Sequence, residues 1–76
     1  MDFDSRGQPY LEVEMSNTEQ VRITYVQNGW SGTPALRVSI RQPNGHLRQG
    51  PEIPVEQIPS TIEAMIRLLV NGSANS

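Results

Sequence analysis

Apolar and polar side chains alternate in three segments of the chain, which is the pattern of a β-strand that is buried on one face only. Residues 10–15 alternate leucine, valine and methionine with glutamate, and residues 21–26 and 36–41 alternate apolar residues with arginine, threonine and serine. The polar residues 16–19 are suited to turn the chain, so the first two strands are expected to pair as an antiparallel hairpin.

A fourth strand is expected at residues 46–55, although its pattern is weak. Proline, asparagine and glycine at positions 43–45 are typical turn residues and would precede it. Gly50 and Pro51 interrupt the segment, and Pro54 has no N–H to donate to a neighbouring strand. This strand should therefore lie at the edge of the sheet or contain a bulge.

Between positions 60 and 70 the apolar residues recur with a period of 3.6 residues in place of the period of two seen in the strands, which predicts one α-helix. Ser60 and Glu63 have the spacing of a capping box, in which each side chain accepts the backbone N–H of the other residue. Pro59 is expected to limit the helix at its start, and Asn71-Gly72 is expected to end it. The predicted fold class is α+β, a three- to four-stranded antiparallel sheet with one C-terminal helix packed on it.

The apolar arc of this helix is about twice the 100° or so that a helix needs when it packs on a single sheet. Ala64 and Leu68 widen the arc that is formed by Ile62, Met65, Ile66, Leu69 and Val70. A second copy of the chain would cover the surplus and supply the burial that a 76-residue monomer lacks, so a homodimer is expected. The alternative is that loop residues such as Phe3 or Trp30 fold over that flank.

Length and composition predict one small domain, residues 1–76, with flexible tails at 1–8 and 73–76. The chain has no cysteine, which excludes disulfides, zinc-thiolate sites and thiol chemistry. The N-terminus is acidic and the longest apolar runs are three residues. These features favour a cytoplasmic protein with neither an export signal nor a membrane span.

No group of residues has the spacing of a catalytic or metal site. His46 is the only histidine, and the nearest carboxylate in the sequence is that of Glu52, so His46 is interpreted as an exposed residue after a turn. Ser31 is followed at once by Gly32 and then by Pro34, which is not the strand-turn-helix arrangement of a nucleophile elbow. We therefore expect a protein that is not an enzyme and that has no cofactor or metal.

Charge is distributed unevenly along the chain. Residues 20–51 carry a balance of +4 with no carboxylate, whereas residues 1–19 carry -4 and residues 52–76 carry -2. The four arginines of the central segment are Arg22, Arg37, Arg41 and Arg48. The first three project from the face of the sheet opposite the core and would form a basic patch suited to phosphates and bases. The alternative is that Glu12 and Glu14, on the same face of the neighbouring strand, neutralise these arginines.

The run 43–55, followed by Ile58 and the helix, resembles the second half of the transcriptional-coactivator single-stranded-DNA-binding domains of the positive-cofactor-four type. The resemblance covers about 30 residues and lies in the order of a glycine turn, a proline-glycine kink, a short strand and one long helix. It implies a helix-mediated homodimer whose sheets bind unpaired strands. In this comparison Arg48 falls in the basic kink, and Ile53 and Val55 fall in the strand.

Two functions remain open from the sequence. The first is a small non-catalytic protein-interaction module, a homodimer whose contact surfaces include Trp30, Ala64 and Leu68. The second is a protein that binds single-stranded nucleic acid through the four central arginines. No membrane partner is expected.

Overall fold

The computed structural model describes residues 1–74 and contains one five-stranded antiparallel sheet followed by one helix. The strands are β1 (Asp2–Phe3), β2 (Pro9–Glu14), β3 (Gln20–Val26), β4 (Ala35–Arg41) and β5 (Leu47–Pro54), and the helix is α1 (Ile58–Ala74). Each strand pairs with the next one along the chain, and β2 and β3 form the expected hairpin. The α+β class is confirmed, but the sheet has five strands and not three to four.

The additional strand is β1, which lies in the segment that was expected to be a flexible tail. It pairs with the start of β2. The turn between them is held by Asp4, whose carboxylate accepts the backbone N–H groups of Arg6 and Gln8 at 2.9 and 2.8 Å. Because a two-residue strand is too short to show alternation, only this turn chemistry marks it in the sequence.

Cross-strand pairs show which side chains share a face of the sheet. One face, the apolar face, carries Leu11, Val13, Val21, Ile23, Tyr25, Leu36, Val38, Ile40 and Ile53. The other, the polar face, carries Glu12, Arg22, Thr24, Arg37, Ser39, Arg41, Gln49 and Glu52. The residues of the described chain that are buried are Thr24, Val26, Ala35 and Ser39. All four lie on the polar face, so the single chain buries its polar face better than its apolar one.

Strand β5 forms one edge of the sheet, and its pairing with β4 shifts register between Arg37 and Ser39. This confirms the edge position and the bulge that the interruption at Gly50 predicted. Gly50 lies so close to β4 that an added Cβ atom would be 2.6 Å from the carbonyl oxygen of Val38. In the turn before β5, Gly45 has a φ of +87°, the left-handed conformation expected for this turn.

The helix begins two residues earlier than the capping-box prediction. A 3₁₀ turn, Val55–Gln57, leads directly into α1 at Ile58, so Ser60 lies inside the first helical turn and is not its cap. The prediction is wrong because Pro59 does not stop the helix. At the start of a helix the missing N–H of proline costs no hydrogen bond, and the fixed φ of proline is already helical. In the same turn, the hydroxyl of Thr61 donates to the carbonyl oxygen of Gln57 at 2.7 Å.

The predicted helix end at Asn71-Gly72 is also wrong. Gly72 continues the helix and does not adopt the left-handed conformation of a C-terminal cap, so α1 reaches Ala74. Residues 73 and 74 of the predicted tail therefore belong to α1, and residues 75 and 76 lie outside the described residues.

The helix projects from the end of the sheet, in contrast to the expectation that it packs across it. All residues from 62 to 72 are exposed, and the main contacts of α1 are with the 3₁₀ turn that precedes it. The radius of gyration is 14.1 Å, whereas a compact chain of this length has about 11 Å. The fold of one chain thus leaves two apolar surfaces exposed, one on the sheet and one on the helix.

Candidate functional site

The apolar face of the sheet is accessible along its β2 side. Leu11 and Val13 are 59% and 62% exposed, although alternation places them where a core would lie. Beside them is an apolar depression of about 300 Å³, whose lining includes Leu11, Ile23, Tyr25 and Leu36. Contiguous apolar surface of this kind is typical of a site where another molecule binds.

The helix presents the second apolar surface. Ile62 is 51% exposed and Leu68 is 73% exposed, and Ala64 is exposed between them. The alternative in which Phe3 or Trp30 covers this flank is wrong for the single chain. The side chain of Phe3 is 64% exposed and that of Trp30 is 78% exposed, so neither packs on the helix. Trp30 lies beside the polar face of the sheet.

The exposed area of one chain is larger than a compact protein of this mass allows. The accessible surface is 5689 Å², whereas a compact monomer of 8.5 kDa exposes about 4,700 Å². The excess is roughly 1,000 Å², which is similar to the area of about 800 Å² that each partner buries in a typical interface. The excess surface of the chain as a whole is therefore in the range that one protein-protein interface buries.

On the polar face, Glu12 pairs with two of the predicted phosphate-binding arginines. Its Oε2 atom lies 2.9 Å from Nε of Arg22 and 2.8 Å from Nε of Arg41. Arg41 also donates to the side-chain oxygen of Gln20. Burial disfavours the ionised form of Glu12, but the hydrogen bonds from Arg41 and Arg22 outweigh that cost and hold its pKa below the ordinary value.

The third arginine of the polar face pairs with Glu52. Nε and Nη2 of Arg37 lie 2.9 and 2.8 Å from Oε2 of Glu52, whose side chain is only 3% exposed. The other carboxylate oxygen of Glu52 accepts the backbone N–H of Trp30 at 2.8 Å. Burial raises the pKa of Glu52, but the hydrogen bonds from Trp30 and Arg37 outweigh this and lower it.

The four predicted arginines therefore do not form one basic patch. Arg48 lies opposite Ile40, so strand alternation assigns it to the apolar face, away from the other three. Glu12 neutralises two arginines as the alternative expectation proposed, whereas Glu14 takes part in none of the ion pairs seen among residues 1–74. Glu52 was not foreseen as a partner, because its position opposite Arg37 depends on the register of β5 around the bulge.

A polar cavity of about 490 Å³ opens on the polar face, between the turn after β1 and the loop that joins β3 to β4. Its lining includes Gln8, Arg22, Thr24, Trp30, Arg37 and Ser39. Sequence patterns had singled out the two arginines and the tryptophan. They missed the glutamine and the two hydroxyl residues, which are brought to the cavity only by strand pairing.

His46 and the acidic side chains are the remaining candidates for a catalytic or metal site. His46 is exposed, and its backbone N–H donates to the side-chain oxygen of Asn44 at 3.0 Å. Residues 1–74 contain no group of three or more histidine, aspartate or glutamate side chains placed to hold a metal ion. Over the same residues, no helix has both the length and the apolar character needed to cross a membrane.

Comparisons with known proteins add no assignment, since no protein-family model, no curated protein and no solved structure matches this chain.

Proposed function

We propose that this protein is a non-catalytic protein-interaction module that acts as a homodimer, in which α1 of each copy lies on the apolar face of the other copy. The observation that supports this most is the pair of apolar surfaces that one chain leaves exposed. In a two-fold dimer the same contact occurs twice, so one arrangement covers both surfaces in both copies.

The dimensions of the two surfaces match. A helix of 17 residues is about 25 Å long, and the first and fifth strands of a sheet with a spacing of 4.7–4.9 Å lie about 19 Å apart, so the helix is long enough to cross the whole sheet. In the single chain the helix does not lie on its own sheet, since residues 62–72 are exposed and α1 follows β5 after a 3₁₀ turn of three residues. Its apolar arc is therefore available to a second copy.

Sedimentation equilibrium of the wild-type protein from low to high micromolar concentration tests the proposal. A mass of two chains across the upper part of that range is the expected result. A monomer at every concentration would contradict it, because the two apolar surfaces would then be stable in water without a partner.

A second candidate function is the binding of single-stranded nucleic acid to the polar face. The exposed ring of Trp30 next to Arg37 favours it, because aromatic rings stack on bases and guanidinium groups contact phosphates. It has less support, because Arg22, Arg37 and Arg41 are each paired with a glutamate. The interaction-module proposal predicts no binding of short oligonucleotides at physiological salt, whereas nucleic-acid binding predicts affinity that falls steeply as salt is raised.

A further inference from the structure

The floor of the polar cavity is formed by two small hydroxyl residues on neighbouring strands. Thr24 and Ser39 are 4% and 2% exposed and line the cavity. In the pairing of β3 with β4, Ser39 lies opposite Arg22 and Thr24 lies opposite Arg37. Each small side chain is therefore next to a long one, which produces a depression with hydroxyl groups below and guanidinium groups at its sides.

The two arginines are held by carboxylates that do not themselves line the cavity. Glu12 contacts Arg22 at Nε, and Glu52 contacts Arg37 at Nε and Nη2. The ring of Tyr10 adds a second support, since it stacks with the guanidinium carbon of Arg22 at 3.9 Å from the ring centroid. These contacts fix both guanidinium groups. Among residues 1–74 no hydrogen bond is seen to the two terminal nitrogens of Arg22 or to Nη1 of Arg37, so these nitrogens can donate to a ligand.

The cavity keeps a small excess of positive charge although its arginines are paired, because Arg22 and Arg41 share the single carboxylate of Glu12. Arg6, Arg22 and Arg37 line it, and Asp4 is the carboxylate in its lining. The Asp4 carboxylate is already occupied by the backbone N–H groups of the turn after β1. The cavity therefore favours an anion.

Two further groups narrow the chemistry of the ligand. Trp30 is held at the cavity by its backbone bond to Glu52, yet its ring is 78% exposed and offers an aromatic surface for stacking. The side-chain oxygen of Gln8 is shielded from solvent and accepts no hydrogen bond from the residues that the structure describes. A ligand with a planar ring and a donor group would use both features.

We propose that the polar cavity binds a small organic anion, a phosphate or carboxylate group attached to a planar ring, with the anion between Arg22 and Arg37 and the ring against Trp30. The volume of about 490 Å³ lies in the range of small-ligand sites. The site lies on the face opposite the proposed dimer contact, so it does not depend on the proposed function.

Trp30 is the chain's single tryptophan, which makes its fluorescence a direct reporter of this site. The probe is phenyl phosphate, with inorganic phosphate, phenol and benzamidine as comparison compounds that lack the ring, the charge or the correct sign of charge. Phenyl phosphate should change the fluorescence with saturation and bind at least about tenfold more tightly than inorganic phosphate, while phenol and benzamidine should not saturate. Amide NMR shifts should be concentrated at Gln8, Thr24 and Ser39.

Variants that retain the positive charge distinguish specific recognition of the ligand from general electrostatic attraction. Arg22→Lys and Arg37→Lys retain a counterion for Glu12 and Glu52 but lose the planar fork, so each should weaken phenyl phosphate binding by about tenfold or more. Arg48→Lys, on the opposite face, should bind like the wild type. Circular dichroism shows whether each variant is folded.

Three outcomes would overturn the proposal. They are the absence of saturable phenyl phosphate binding to the wild type, equal affinities for phenyl phosphate and inorganic phosphate, and unchanged affinity in both folded cavity variants.

Discussion

Arg37 and Glu52 lie directly opposite each other on β4 and β5, and their side chains meet at 2.8 Å on the polar face of the sheet. The same carboxylate accepts the backbone N–H of Trp30, so one side chain joins the edge strand, its neighbour and the β3–β4 loop. A nearly buried carboxylate with partners on both oxygens is costly to alter, because each partner would lose its acceptor.

Glu52→Gln should therefore destabilise the protein although it changes only one oxygen atom to an amide nitrogen. The amide can still accept the N–H of Trp30, but it no longer neutralises Arg37. The urea midpoint should fall and the fluorescence of Trp30 should change. Glu14→Gln is the matched control, since Glu14 is exposed on the same face, and it should leave both quantities unchanged. Equal midpoints for the two variants would show that the ion pair does not stabilise the sheet.

Stability should decrease in acid because the ion pairs of Glu12 and Glu52 are lost when these carboxylates are protonated. The pKa values of Glu12 and Glu52 are lowered in the folded chain, so the ionised forms are favoured by folding. Their stabilisation is complete above the ordinary value of 4.5 and is lost as the pH falls below it and through the lowered pKa values. Urea midpoints measured from neutral pH into this range should fall for the wild type. They should fall less for the double variant Glu12→Gln with Glu52→Gln, and parallel curves for the two proteins would contradict the assignment.

Replacing Gly50 and Gly72 with alanine should have opposite effects on the stability of the protein. Gly50→Ala should cost about 1–3 kcal/mol, because the new Cβ atom would be 2.6 Å from the carbonyl oxygen of Val38 and the edge strand must shift. Gly72→Ala should instead stabilise by about 0.5–1 kcal/mol, because Gly72 is helical and its Cβ position is open. Chemical denaturation measures both effects. Destabilisation by Gly72→Ala would mean that the helix ends there, as the sequence had predicted.

Strands that alternate clearly could be predicted from the sequence, and features that depend on distant pairing could not. The three strong strands begin and end within one residue of their predicted positions, and the bulge follows from Gly50. β1 was not predicted because a strand of two residues is too short to show alternation of apolar and polar side chains. The pairing of Glu12 was foreseen because β2 and β3 form a hairpin, whereas that of Glu52 depends on a register that the bulge resets.

The start of the helix also could not be predicted from the local sequence alone. Ser60 and Glu63 have capping-box spacing, but the structure starts α1 at Ile58, where Pro59 fits the first turn. Ser60→Ala should then change stability by only a few tenths of a kcal/mol, since an exposed position inside a helix slightly favours alanine. A loss of about 1 kcal/mol in denaturation experiments would instead restore Ser60 as the cap.

The contribution of α1 to the proposed dimer contact can be tested with two variants that each introduce a glutamate at a different position of the helix. Leu68→Glu puts a carboxylate on the apolar arc of α1, where the partner would bury it, so it should convert the dimer to a monomer. Arg67→Glu places the same side chain in the middle of the polar side of the helix, where Arg67 is exposed, and should leave the dimer intact. Sedimentation equilibrium distinguishes the two results, and a dimer that persists in both variants would exclude α1 from the interface.

The sheet half of the contact is tested by Val13→Glu. Val13 is 62% exposed in the single chain, so this substitution should have little effect on an isolated monomer. If α1 of the partner covers the apolar face, however, the new carboxylate would be desolvated without a counterion, and the dimer should dissociate. Glu12→Gln, one residue away on the polar face, should sediment as a dimer even though it loses an ion pair. A Val13→Glu protein that remains dimeric while Leu68→Glu is monomeric would show that the dimer forms through the helices without covering Val13, which contradicts the proposed contact between α1 and the apolar face.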